Sequence, residues 1–161
     1  MEVLPLRSDR VQSGNELLSV ILQVLRRENL NLRDRDILAV ASKVVAYSQG
    51  LLKMVDSPEA FRELVRQEAD QVLDEGDMVL TMKNKIMIPN AGIDNSNTPD
   101  GQVVLWPEAP FDSAEILRKQ LMEEFNLSHL GVVITDSHCQ PLRMGTSGIA
   151  IGWAGIEGDV K

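Results

Sequence analysis

The chain has 161 residues, and 24 Asp+Glu against 16 Lys+Arg give it a formal net charge of −8 and a pI of about 4.7. That balance excludes a general nucleic-acid binder, which needs a basic face to displace counterions from phosphates, although it still allows a local anion site. Apolar residues make up 43% of the chain. A chain of this size buries about 68–70% of its unfolded surface, so the expectation is one folded domain over residues 1–161.

Met1 to Arg10 contains no apolar run of the signal-peptide kind, and no apolar stretch approaches the roughly 20 residues that span a bilayer. The reading is a soluble, cytoplasmic protein with no membrane partner. A single cysteine, Cys139, excludes an intrachain disulfide and fits a reducing compartment.

In chain order, Val3 to Leu6 reads as a short strand, and Ser13 to Glu16 has the Ser-x-x-Glu form of a capping box. Leu17, Leu18, Ile21, Leu22 and Leu25 then recur at helical spacing. Ile37 to Ala41 is a continuous apolar run too short for a helix, which predicts a strand buried on both faces, with Ser42-Lys43 at its carboxyl end. Val44 to Gln49 is a short helix closed by Gly50, and Leu51 to Val55 another strand. Ser57-Pro58 supplies an N-cap and first-turn proline for a helix reaching about Asp74.

Met78 to Met82 and Ile86 to Ile88 flank Asn84-Lys85 as a hairpin. Asn90 to Gly101 is an ordered polar loop, and Val103 to Trp106 a strand. Asp112 with Glu115 repeats the capping pattern before a helix carrying Ile116, Leu117, Leu121 and Phe125. Leu130 to Thr135 is a second buried strand that delivers Asp136-Ser137 at its carboxyl end, and Ile149 to Ile156 reads as buried core. About three amphipathic helices alternating with strands predict a layered α/β or mixed α+β domain.

Carboxyl ends of buried strands are where layered α/β folds place ligand-binding groups. Asp136 is therefore a candidate, although an aspartate there also commonly caps a turn. Asp94 follows another strand, so the two carboxylates could share one hard cation such as Mg²⁺ or Mn²⁺, with Asn97 and Ser137 as neutral oxygen groups nearby. Lys43 is a phosphate candidate or a solvated surface lysine. Arg143 could grip a carboxylate or phosphate, or pair with a surface acid. The glycines at 145, 148, 152 and 155 suit close packing. Neither a Walker A loop nor a strand-linked G-x-G-x-x-G is present. Asp136-Ser137-His138 is rejected as a hydrolase triad, because adjacent residues in an extended segment point apart. His138-Cys139 supplies at most two soft-metal ligands.

Three segments carry more than generic chemistry: DILAVASKVVAYSQG from Asp36 to Gly50, PNAGIDNSN from Pro89 to Asn97, and GVVITDSHCQPLRMGTSGIAIGWAGI from Gly131 to Ile156. Together they resemble the coenzyme F420-0:γ-glutamyl ligase family, and within it the bacterial members described as folate-metabolism γ-glutamate ligases. The resemblance implies a homodimeric, metal- and nucleotide-dependent ligase. Such an enzyme joins the amine of L-glutamate to a carboxylate of a folate-like or F420-0-like cofactor precursor through an acyl phosphate, with GTP (or ATP) as co-substrate. It further implies Asp94, Asp136 and Ser137 at the metal and Ser42, Lys43 and Asn97 at the nucleotide; Arg143 is the substrate-binding candidate read from its guanidinium alone.

Two departures stand out. Where the family usually reads Ser-Lys-Ala-Glu-Gly, this chain has Ala46-Tyr47-Ser48-Gln49-Gly50, lacking the lysine and the glutamate. The family also continues beyond the point where this sequence stops, so the resemblance predicts a chain truncated at its C-terminus, with a separate polypeptide supplying the rest. The competing expectations are a noncatalytic binding or dimerisation domain and a generic metal-dependent phosphohydrolase.

Overall fold

The structure is a computed structural model and describes residues 2–76, 78–96, 98–99, 101–139 and 142–157. In chain order its elements are α1 (Leu17–Arg27), β1 (Asp36–Ala41), α2 (Ser42–Ser48), β2 (Leu52–Met54), α3 (Pro58–Glu68), β3 (Gln71–Glu75), β4 (Val79–Lys83), β5 (Ile86–Pro89), a 3₁₀ turn (Asn90–Gly92), β6 (Gln102–Val104), α4 (Pro110–Glu124), β7 (Leu130–Cys139) and β8 (Thr146–Ala154). The strands form three sheets, so the described chain is mixed α+β as the sequence predicts. It divides into two compact units, one of Met1–Gly50, Pro107–Asp136 and Ala150–Lys161, the other of Leu51–Trp106 and Ser137–Ile149. Among the described residues no helix is long and apolar enough to cross a membrane.

The first unit is built on a sheet of order β1-β7-β8. β1 and β7 run parallel, in register from Asp36 opposite Leu130 to Ala41 opposite Thr135. Leu38 and Val40 of β1, Val132 and Ile134 of β7, and Leu117 and Leu121 of α4 are buried. On α1 the buried face is Ile21, Val24 and Leu25, the spacing read from sequence. Arg118 of α4 donates from Nε to the Leu130 carbonyl at 2.8 Å.

The second unit pairs β2 with β6 antiparallel and folds β3, β4 and β5 into a meander. Asn84 and Lys85 turn the β4–β5 hairpin with φ of 50° and 65°, the two positive values that a type I′ turn needs to match strand twist. Its core is Val65, Val79, Ala91, Ile93, Val103 and Leu105. The buried Thr81 hydroxyl donates to the Ile88 carbonyl and accepts from the Ala91 amide, so this polar group is satisfied inside the core.

Several local expectations are corrected. Residues 3–6 form no strand. β1 is buried on one face only within this chain: Leu38 and Val40 point inward while Ile37 is 62% exposed. Neither Ser-x-x-Glu nor Asp-x-x-Glu acts as a capping box, because Glu16 and Ala109 take the N-cap positions without a side-chain cap. Ser57 does cap α3, accepting from the Ala60 amide at 3.1 Å. That helix stops at Glu68 rather than near Asp74, because the Asp70 amide bonds to the Met82 carbonyl and Val72 pairs with Thr81. Cross-strand pairing overrides the apparent helical spacing of Val72 and Leu73. Of Ile149 to Ile156, Ile151 and Ala154 are buried, but Ala150 and Gly155 are exposed and Ile156 is 36% exposed.

Candidate functional site

Parallel pairing of β1 with β7 decides what meets at the end of β1. The last registered pair is Ala41 with Thr135, and the next residues along the two strands are Ser42 and Asp136. Ser42, the first residue of α2, is buried, and its Oγ donates to Asp136 Oδ1 at 2.9 Å. A partly buried carboxylate is a hard oxygen ligand of the kind Mg²⁺ and Mn²⁺ take. Asp136 thus offers one oxygen ligand of the type such an ion takes.

β7 runs through Cys139, so Asp136 lies inside the strand and not at its carboxyl end. Ser137 is exposed and opens the part of β7 that belongs to the second unit. His138 is buried, and its Nδ1 has no hydrogen-bond partner among the described residues. The start of β7 is fixed by Asp34, whose Oδ1 accepts the Ser128 and His129 amides at 2.7 and 2.9 Å. Those two amides, His129 first, hold its carboxyl below the ordinary aspartate range.

Lys43 is half-buried in the first turn of α2. At the other end of α2, Gln49 occupies the position where the family usually has glutamate. Its Oε1 accepts the Glu108 amide at 2.9 Å, and its Nε2 donates to the Glu108 carbonyl at 2.9 Å and to Ser113 Oγ at 3.2 Å. The amide uses both donor and acceptor, which a carboxylate cannot. Nothing in the sequence signals this clamp, since its partners are 59 and 64 residues away.

In the second unit, Asp94 forms an isolated bridge with Val104: the Asp94 amide bonds to the Val104 carbonyl at 2.9 Å, and the Val104 amide returns a bond at 2.8 Å. Asp94 Oδ1 also accepts the Ser96 amide at 2.6 Å, closing an Asx turn. Asn97 lies outside the described residues. Arg143 is exposed on the connection between β7 and β8. Among the described residues no group of three or more His, Cys, Asp and Glu is placed to hold a metal.

The model of the F420-0:Gamma-glutamyl ligase family matches residues 5–160. The chain belongs to this family. It is similar to a protein of Methanopyrus kandleri named Coenzyme F420:L-glutamate ligase, at 33% identity over 97% of this chain and 66% of that relative. Relatives of the same name from Archaeoglobus fulgidus and Halorubrum lacusprofundi are 30% and 31% identical, over 98% and 91% of this chain and 66% and 63% of theirs. The chain thus spans just under two thirds of the length of these family members.

Proposed function

We propose that the protein is a γ-glutamyl ligase that joins the amine of L-glutamate to a carboxylate of an F420-0-like cofactor precursor, with GTP as co-substrate. The observation that carries this reading is the Ser42–Asp136 hydrogen bond, set by parallel strand register in a chain of this family. The names of the relatives support the F420-type acceptor over a folate-like one.

In this reading an acceptor carboxylate oxygen attacks the γ-phosphorus of GTP, forming an acyl phosphate and releasing GDP. The glutamate amine then attacks the acyl carbon; the C–N bond forms, the C–O bond to phosphate breaks, and the amine proton passes to solvent. Bound Mg²⁺ or Mn²⁺ supplies charge neutralisation for the polyphosphate. Asp136, aimed by Ser42, is the metal ligand assigned in the first unit, and Asp94 and Ser137 are the oxygen ligands assigned in the second. Lys43 and Asn97 hold nucleotide, and Arg143 holds a substrate carboxylate. The finer reading also includes a homodimer and a cytoplasmic location.

The test incubates the purified protein with GTP or ATP, Mn²⁺ or Mg²⁺, L-glutamate and either F420-0 or a folate, and looks by mass spectrometry for one added glutamyl unit. Product from F420-0 with GTP supports the proposal. Product from the folate alone would reassign the acceptor, and Asp136→Asn with undiminished activity would remove the metal assignment.

A further inference from the structure

The second unit contains a cleft of about 490 Å³ whose described lining includes none of Ser42, Lys43, Asp94, Asp136, Ser137 and Arg143. Its volume falls within the roughly 300–1,000 Å³ typical of small-molecule sites. Phe61, Val79 and Val103 supply an apolar wall, and Arg62, Asn95 and Gln102 supply polar groups. In a chain of net charge −8, the described lining contains one arginine and no Asp or Glu.

Arg62 is half-buried on α3, and its Nη1 donates to the Gly76 carbonyl at 3.2 Å, which anchors the guanidinium without neutralising it. The nearby Glu75 carboxylate is already engaged at both oxygens by Arg66, at 2.9 and 2.8 Å. A guanidinium carries five N–H donors in a fork that fits a carboxylate in two-point fashion. One such charge matches a monoanionic carboxylate better than a phosphate dianion. Asn95 immediately follows Asp94, the candidate metal ligand of the same unit.

We infer that this cleft is a carboxylate-binding subsite: Arg62 takes the carboxylate of an acidic small molecule whose ring or hydrocarbon part lies on Phe61 and Val79. Resting on the ligase reading, this makes the cleft the place where the acidic end of a substrate is held, and Arg62 a specificity-determining residue.

The probe is N-benzoyl-L-glutamate, titrated into the whole protein by calorimetry beside its diamide and inorganic phosphate. The expected result is binding of the dicarboxylate, with a loss of about tenfold or more for the diamide and for Arg62→Gln, the scale of one charge-assisted hydrogen bond. Arg62→Lys should retain part of the affinity, and Arg10→Gln all of it. Equal binding of the diamide, equal competition by phosphate, or undiminished binding by folded Arg62→Gln would overturn the inference. If Arg62→Gln does not fold, the diamide comparison on the unaltered protein and Gln102→Leu decide the matter. Arg62-dependent binding without any ligation product would sink the ligase reading alone, whereas ligation unaffected by Arg62→Gln would sink this subsite alone.

Discussion

Ser42 Oγ donates to Asp136 Oδ1 at 2.9 Å across two parallel strands, joining residues 94 positions apart in sequence. The bond fixes the rotamer of a carboxylate whose value as a cation ligand depends on orientation, because partners that orient a ligating group are typically worth about 10–100-fold in metal affinity. Ser42→Ala should therefore weaken Mn²⁺ binding by about tenfold while leaving the fold intact, and Ser42→Thr should keep most of the affinity. Calorimetric titration of Mn²⁺ checks this. Equal affinity for Ser42→Ala and the unaltered protein would remove the positioning role.

Gln49→Glu, the change toward the usual family residue, should destabilise this chain. It replaces the Nε2 donor to Glu108 and Ser113 with a second acceptor facing a carbonyl. Because the group is exposed, the expected cost is about 1 kcal/mol, read as a lower thermal midpoint. A raised midpoint would show that the amide clamp is not what favours glutamine here.

Much of this architecture was legible in the sequence because its signals are local. The 3.6-residue spacing of Ile21, Val24 and Leu25 and the Asn84-Lys85 turn both specify their elements without distant partners. Gln71 to Asp74 reads as the end of a helix because its pairing with β4 is not written in its own residues. The candidate site shows the same division. Asp94 and Asp136 stood out from their strand and loop contexts, but the use of Ser42 to hold Asp136 follows from strand register, and the Arg62 cleft from tertiary assembly.

Gly92→Ala should be severely destabilising. Gly92 has φ of +74°, and a Cβ there would collide with the Trp106 ring. Positive φ and ring contact together predict a loss of about 3 kcal/mol or more. Denaturant unfolding followed by tryptophan fluorescence measures it; a loss below about 1 kcal/mol would mean that the ring relocates cheaply.

Acid should erode the second unit through Glu75. Its carboxyl is held below its ordinary value of 4.5 by hydrogen bonding to Arg66, then by the charges of Arg66 and Arg62. A depressed folded value means that the contribution is present above about pH 4.5 and lost as pH falls through the lower folded value. Glu75→Gln should therefore lower stability at pH 7, change little below the folded value, and so flatten the acid limb of stability against pH. An unchanged acid limb in the variant would contradict the assignment.

The most direct test of the account compares glutamate addition to F420-0 by the unaltered protein and by Asp136→Asn, with GTP and Mn²⁺, read by mass spectrometry alongside Mn²⁺ binding. The unaltered protein should add one glutamyl unit, and a folded Asp136→Asn should lose both product and Mn²⁺ affinity. Failure of the unaltered protein to form product, or full activity in Asp136→Asn, would contradict it.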